Sequence, residues 1–342
     1  FIYINCIFFK KRKNPRIFYG GARKGNIGGP LVKIKKLSKY YPEQKINFNI
    51  IYLSSNNTFI KKASLDLLKN KKIPIILNQN GVFYPSWFKG NYIKKNLEMS
   101  QAYKKADYVF WQSKFCKMAS EKFFGERKSK GEILYNAVDT KLFRPIKKID
   151  KYFTFLITGN ISRENNYRIL SVLLPLKETL KFNKNIKLLI AGYIEDEKYL
   201  RERLVEFGIY DEVNFLGKYT QKEAPSIYNL ADAYITISYQ DNCPTAVLEA
   251  MASGLPILYS ASGGIPELVD NKSGIGLKVK KSWESIYIPK SNKIEEGMLK
   301  IIDNKISMSE SARARALEKF DISNWLSRHH SIFKYFLEKD LK

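Results

Sequence analysis

At 342 residues the chain is too long for one comfortable hydrophobic core, so two domains are expected. Its 44% apolar and 27% charged residues are ordinary for a globular protein, and no segment is long and apolar enough to cross a bilayer, which argues against a membrane-spanning class. Three cysteines, Cys6, Cys116 and Cys243, show no CxxC spacing and leave one unpaired in any disulfide scheme, which fits a reducing, cytoplasmic setting.

Charge is unevenly spread. Residues 1–150 hold 32 Lys and Arg against 9 Asp and Glu, whereas the remainder holds 27 against 24. A basic half joined to a near-neutral half suggests that one domain meets an anionic partner. An anionic membrane at its inner face, a lipid-phosphate acceptor and nucleic acid are the candidates. A coding bias toward Lys competes with this reading, but it would not spare the C-terminal half.

The chain opens with apolar residues 1–9, followed by Lys10, Lys11, Arg12 and Lys13. That run is too short to span a bilayer. Its charges lie on the wrong side for a secretory signal, and no small-residue cleavage site follows. Residues 1–15 therefore read as an extra segment: an interfacial anchor, a clipped signal-anchor or a first strand.

Apolar runs bounded by turn residues then predict strands at 16–19, 48–53, 73–77, 108–111 and 133–135, with helices such as 30–40 and 114–124 between them. Ser113 is placed to cap the second of these helices. Residues 136–145 read as a linker. A second series of strands follows at 153–158, 187–191, 213–216, 233–237, 257–259 and 275–279, and a last helix at 323–342. Short buried strands alternating with helices imply parallel sheets. Two such series predict an α/β protein of two doubly wound, Rossmann-like domains facing across a cleft, at 1–140 and 141–320, with 321–342 packing back on the first.

Residues 241–256, Asp-Asn-Cys-Pro-Thr-Ala-Val-Leu-Glu-Ala-Met-Ala-Ser-Gly-Leu-Pro, are the most informative stretch. They follow the strand at 233–237, where open parallel sheets bind ligands. Pro244 suits the first helical position, and the amides of Thr245, Ala246 and Val247 would then leave the helix N-terminus unsatisfied, a site for a diphosphate. Asp241 before the helix and Glu249 within it would grip different parts of an extended ligand. As an isolated D-x7-E this would more often be a loop cap and a solvated helix residue. The Gly-rich loop 260–267, with Gly263 and Gly264 ahead of Pro266 and Glu267, makes it more than that.

In the N-terminal half, Gly25-Asn-Ile-Gly28-Gly29-Pro30 follows a strand and opens a helix, suited to phosphate or acceptor oxygens. It is not GxGxxG, and no acidic residue follows at dinucleotide spacing, which disfavours a Rossmann oxidoreductase. Asn78, Gln79 and Asn80 end the strand at 73–77 and are placed to orient an acceptor. There is no DxD and no His or Cys cluster at metal spacing, so neither a metal nor another cofactor is expected. The charge fits nucleic acid, but no recognition module accompanies it, so no nucleic-acid partner is expected.

Taken together, Asn136–Asp139, Phe143–Pro145, Phe215–Gly217, Leu230–Asp232, Asp241–Glu249, Ala250–Pro256 and Gly263–Glu267 resemble the C-terminal domain of family-4 retaining glycosyltransferases of the GT-B fold. The resemblance covers about 133–270. It implies transfer of a hexose from a nucleotide-sugar, a UDP-sugar by preference, to a glycan or lipid-linked acceptor, as in cell-surface polysaccharide synthesis. It implies that Glu249 holds the donor ribose and that Asp241, with the backbone of Asn242, Cys243 and Pro244, holds the donor sugar. Backbone near Lys218 and Tyr219 would meet the base, and Gly28 and Gly29 the donor phosphates. The family pair is E-x7-E, so Asp241 is one methylene shorter than the pattern. Asn160 stands where the family has Arg, leaving Arg163 or Arg168 to supply a cation. The two histidines, His329 and His330, lie in the last helix, so the histidine that several members place near residue 80 is missing. A retaining mechanism tolerates this, because the leaving phosphate is thought to take the acceptor's proton. A non-catalytic relative that binds a nucleotide-sugar beside a partner subunit is the alternative.

Overall fold

The computed structural model describes residues 1–342 apart from 8, 10–11, 22–28, 56–59, 147–149 and 340–342. The chain divides into two compact units, one of residues 1–136 with 323–342 and one of residues 137–322. Residues 137–140, which the sequence assigns to the first domain, cluster with the second. The Val138 amide donates to the Phe320 carbonyl, and Thr140 Oγ1 bonds Asp321, so this stretch is stitched to the end of the second unit.

In the first unit the order is α1 (Ile2–Ile7), β1 (Ile17–Phe18), α2 (Gly29–Ser38), β2 (Ile50–Ser54), α3 (Lys62–Asn70), β3 (Ile75–Gln79), α4 (Tyr92–Lys105), β4 (Tyr108–Trp111), α5 (Lys114–Phe124) and β5 (Gly131–Ile133). The five strands are parallel and lie in sequence order. Residues 2–7 are thus a helix, which settles the open reading of the N-terminal apolar run against a first strand. Ser113 caps α5, its Oγ accepting the Cys116 amide at 3.0 Å.

Strands β2, β3 and β5 shift from their predicted places, β3 lying at Ile75–Gln79 rather than 73–77. β2 begins at Ile50 because the Phe48 amide is taken by the Asn5 side chain and the Asn49 amide by the Arg16 carbonyl. β5 is Gly131–Ile133 rather than 133–135. Gly131 pairs with Val109 while the Trp111 ring lies over it; a Cβ there would come 2.3 Å from that ring. Apolar content pointed to the residues that follow, but ring packing set the register.

The second unit runs β6 (Phe153–Thr158), α6 (Tyr167–Phe182), β7 (Ile186–Ala191), α7 (Glu197–Phe207), β8 (Val213–Gly217), α8 (Ala224–Tyr228), β9 (Ala233–Thr236), α9 (Thr245–Ala252), β10 (Ile257–Ser260), α10 (Ile265–Leu268), β11 (Gly274–Leu277), α11 (Ser291–Asp303) and α12 (Lys305–Lys319). Its six parallel strands take the order β11-β10-β9-β6-β7-β8. The order reverses between β6 and β9, and a parallel sheet opens a crevice at the carboxyl ends of the strands on either side of such a reversal. Phe155, Ile157, Leu173, Leu176, Leu188, Met298 and Ile301 fill the core between the sheet, α6 and α11.

Helix α13 (Ile322–Lys339) belongs to the first unit from Ser323 onward. Trp325, His329, Ile332, Phe333 and Leu337 are buried at helical spacing. They meet the sheet face that carries Tyr52, Tyr108 and Phe110, with ring contacts from Tyr52 to His329 and from Phe110 to His329. Trp111, pointing to the other face, meets Tyr103 of α4.

Candidate active site

Helix α9 starts beside the strand-order reversal. Pro244 does not occupy its first helical position. With φ −66° and ψ 120° it is extended and stands just outside the helix. The Val247 amide donates to the Pro244 carbonyl at 3.2 Å, so it is not available to a ligand. Thr245 and Ala246 keep amides with no partner among the described residues, and no side chain caps the helix. Two bare N–H groups, rather than three, mark the positive end of the helix dipole.

The loop before α9 is clamped from the next loop. Gly264 donates its amide to the Asp241 carbonyl at 2.8 Å, and Ser262 Oγ accepts the Gln240 amide at 2.9 Å. Gly263, at φ 66°, lies so close that a Cβ would come 2.4 Å from the Asp241 oxygen. Only glycine meets both demands, conformation and clearance. The Gly-rich loop therefore sets the place of Asp241.

The Asp241 side chain accepts the Cys243 amide at 3.3 Å. Desolvation raises its pKa above the ordinary carboxylate range, opposed by the positive charge of Arg168 and by the Cys243 and Asn242 amides. Of the two candidate cations, Arg163 turns to the surface. Its side chain is 75% exposed and its Nε donates to Asp196 at 3.0 Å. Arg168, in the first turn of α6, is near enough for its charge to act on Asp241, and its Nε is buried with no partner among the described residues. Asn242 Oδ1 is likewise buried and unpartnered. Unpaired buried polar atoms in a crevice carry a desolvation cost that a ligand would relieve. Asn160, the residue in place of the family arginine, is exposed after the end of β6.

Glu249 is buried in the second turn of α9 and accepts Tyr228 Oη at 3.0 Å. The Thr158 hydroxyl, at the end of β6, lies 3.0 Å from Tyr234 Oη and 3.4 Å from Tyr228 Oη. Burial, with the Glu249 charge adding to it, pushes the Tyr228 and Tyr219 hydroxyls up. Both therefore stay protonated and act as donors. Glu249 thus belongs to a tyrosine cluster of which the sequence reading had only Tyr219; it missed Tyr228 and Tyr234, which lie in α8 and β9. Lys218 is exposed, its ammonium 4.6 Å from the centroid of the Tyr193 ring.

In the first unit, Asn78 and Gln79 are the last residues of β3, inside the strand rather than after it, and Asn80 follows. Asn78 and Gln79 are buried. Lys33, a buried residue of α2, donates to Asn78 Oδ1 at 2.7 Å and to Asn80 Oδ1, which also accepts from Gln112. Gln79 Oε1 and Asn80 Nδ2 are buried without a partner among the described residues. Lys33 escaped the sequence reading because it is one of four lysines in ten residues. Gly28 lies outside the described residues, and Gly29 opens α2. His329 is buried and bonded to Tyr52, and His330 bonds Tyr41, so both serve packing in this unit.

The model of the family described as glycosyl transferases group 1 matches residues 138–315. The chain is 31% identical over 122 residues to the alpha-monoglucosyldiacylglycerol synthase of Streptococcus pneumoniae, covering 35% of this chain and 26% of that protein. It is 27% identical over 223 residues to an uncharacterized glycosyltransferase of Haemophilus influenzae, covering 64% and 57%. In each of these the match spans less than two thirds of the relative's length. The Anabaena HepE protein in complex with UDP superposes with a TM-score of 0.65 at 16% identity, covering 89% of this chain and 82% of that one. A glycosyltransferase from Rickettsia africae does so with 0.65 at 16%, covering 92% and 84%. These superpositions give the fold as GT-B. The family match embraces the Asp241–Glu249 segment, the glycine clamp and the strand-order reversal together, and the chain belongs to the glycosyl transferases group 1 family.

Proposed function

We propose that the chain is a retaining, metal-independent glycosyltransferase that moves a hexose from a UDP-sugar to a glycan or lipid-linked acceptor. The observation that carries this reading is the pair of bare amides at Thr245 and Ala246, set between the clamped Asp241 and the buried Glu249. A pyrophosphate on those amides would leave Glu249 to accept the ribose hydroxyls and Asp241 to accept hydroxyls of the donor sugar. The backbone at Lys218 and Tyr219 would border the base.

Arg168, not Arg163, would carry the cation's part. Its unpartnered buried Nε and its electrostatic effect on Asp241 support this, as does the engagement of Arg163 with Asp196. A guanidinium and two helix amides aimed at the leaving diphosphate stabilise charge as the sugar bond breaks, which is work a divalent ion does elsewhere. The leaving phosphate then takes the acceptor's proton on the same sugar face, so no side-chain base is required. Asn78, Gln79 and Asn80 would orient the acceptor, with Lys33 holding two of the three in place.

The choice of UDP draws on structural neighbours in complex with uridine nucleotides, among them HepE with UDP-glucose and the pneumococcal O-GlcNAc transferase GtfA with UDP and GlcNAc. A thermal-shift panel of UDP-, GDP- and ADP-sugars tests it. One nucleotide should stabilise the wild type strongly and Glu249→Ala far less; equal shifts in both proteins would remove Glu249 from the site.

A further inference from the structure

The first unit carries a cavity of about 340 Å³ lined by Arg12, Lys13, Arg16, Tyr40, Tyr41 and Gln44 among others, with three cations and no carboxylate in its wall. The nearby Glu43 is turned away, its carboxylate accepting the Tyr19 amide. Arg16 is fixed in place: its Nε donates to the Asn47 carbonyl at 2.7 Å and its second terminal nitrogen to Gln44 Oε1 at 2.8 Å. Those acceptors are neutral, so the guanidinium keeps its charge for a ligand. Arg12–Arg16 lead into β1, and Tyr40–Gln44 follow α2. The cavity therefore lies where the strands begin, the opposite end of this sheet from Asn78 and Gln79. It is not part of the proposed acceptor site.

Helix α1 is anchored beside it. Asn5 donates to the Phe48 carbonyl at 3.0 Å and accepts the Phe48 amide at 2.9 Å, while the next residue, Asn49, donates to the carbonyls of Arg12 and Asn14. The 48–49 stretch thus holds helix and cationic loop together. Asn5 and Cys6 form the buried side of α1. Tyr3, Ile4 and Ile7, at i, i+1 and i+4, form its outer side and are 60%, 51% and 74% exposed, with Phe1 at 63% beside them. Lys45 stands over the Phe1 ring, and Ile46 is exposed next to it. Large apolar side chains turned to water in a row, bordered by cations, match the chemistry of an anionic bilayer: acyl boundary below, phosphates at the rim.

We propose that this end of the unit docks on anionic phospholipid, with the apolar side of α1 in the interface and a headgroup phosphate in the Arg12–Lys13–Arg16 cavity. Helix and cavity are then two signals of one attachment, each weak alone, and attachment weakens as salt rises. The assignment is independent of the sugar donor, since helix and cavity belong to the first unit and the α9 segment to the second.

Co-sedimentation of the full chain with phosphatidylcholine vesicles, with and without phosphatidylglycerol, tests it in the absence of any nucleotide-sugar. The wild type should bind the anionic vesicles at low salt and not the neutral ones. Arg12→Ala with Lys13→Ala should weaken binding by about fivefold for each cation removed, and Ile4→Ser with Ile7→Ser by about tenfold. Lys117→Ala with Lys122→Ala, on exposed positions of α5, should leave binding within about twofold, since cations outside the site contribute only diffuse attraction. Circular dichroism of each variant verifies that it folds. Equal losses in both lysine-bearing pairs would trace binding to net charge and overturn the site, as would full binding by the Arg12 and Lys13 variant. A wild type that ignores both vesicles yet is stabilised by inorganic phosphate through Arg12 and Lys13 would assign the cavity to a free anion and overturn the membrane attachment.

Discussion

The Tyr228 hydroxyl donates to Glu249 Oε2 at 3.0 Å, and this bond holds the carboxylate in one rotamer at the floor of the proposed donor site. Burial keeps the phenol protonated, so it can only serve as a donor to that acid. Tyr228→Phe should lower stability by roughly 1 kcal/mol and raise KM for the donor several-fold with kcat little changed. Glu249→Gln should raise KM more, roughly tenfold or beyond, because a charged acceptor for the ribose hydroxyls is lost. Steady-state kinetics on the two variants separates positioning from contact.

Gly263→Ala meets two obstacles, a left-handed backbone and the Asp241 carbonyl. Destabilisation of roughly 2 kcal/mol or more is expected. The donor site should suffer further, since relief of the clash displaces Asp241. Denaturant unfolding together with kcat/KM checks this; a variant with wild-type kcat/KM would show that Asp241 needs no clamp.

Removing Arg168 has a pH signature. Its charge opposes the desolvation that raises the Asp241 pKa, so Arg168→Ala should push that pKa higher still. If the ionised carboxylate binds the donor, the acid limb of the pH–rate profile should move to higher pH, and kcat should fall on loss of the phosphate contact. Arg168→Lys should restore part of kcat and return the limb toward its original place. An unmoved limb in Arg168→Ala would separate the two residues.

Asp241 itself has a stability consequence of opposite sense to a salt-bridged acid. Its folded pKa is raised, so the folded state favours the protonated form, and stability falls as pH climbs from the unfolded carboxylate range through the folded value. Asp241→Asn should therefore be more stable than wild type at neutral pH, and the gain should vanish in acid. Unfolding curves at the two pH values check it.

His329 shows the reverse. Burial lowers its pKa to about 3, so it enters the fold neutral and must shed any proton it carries when unfolded. Its contribution is complete above roughly pH 6.5 and declines as pH falls toward the folded value, by about 2 kcal/mol between pH 6.5 and 5. Trp325, whose ring centroid is 3.9 Å from the imidazole, offers a local fluorescence probe. In His329→Gln that part of the pH slope should disappear.

Much of this architecture was legible because it rests on local chemistry. Helix 114–124 and its Ser113 cap need only an oxygen acceptor ahead of an amphipathic run, and the structure has both. Strand 153–158 is an apolar run with clear ends. The Asp241–Glu249 segment could be read because a strand, a loop and a helix N-terminus are contiguous in sequence. Pro244 was misplaced by one residue: proline's φ of −66° suits both the cap and the first helical position, and only ψ tells them apart.

What needed the third dimension was each choice between chemically equal residues far apart in sequence or on different elements. Two arginines five positions apart look interchangeable in sequence, but one pairs with Asp196 on the surface while the other has a buried, unpartnered Nε and a charge that acts on Asp241. The tyrosines around Glu249 come from separate elements, and Lys33 meets Asn78 across 45 residues. Sequence alone determined the strand–helix alternation, the family-bearing segment and the basic N-terminal half, since periodicity, turn chemistry and charge are properties of neighbouring residues. Tertiary structure decided which polar groups are left without partners, because burial and pairing depend on which distant atoms the fold brings within about 3 Å.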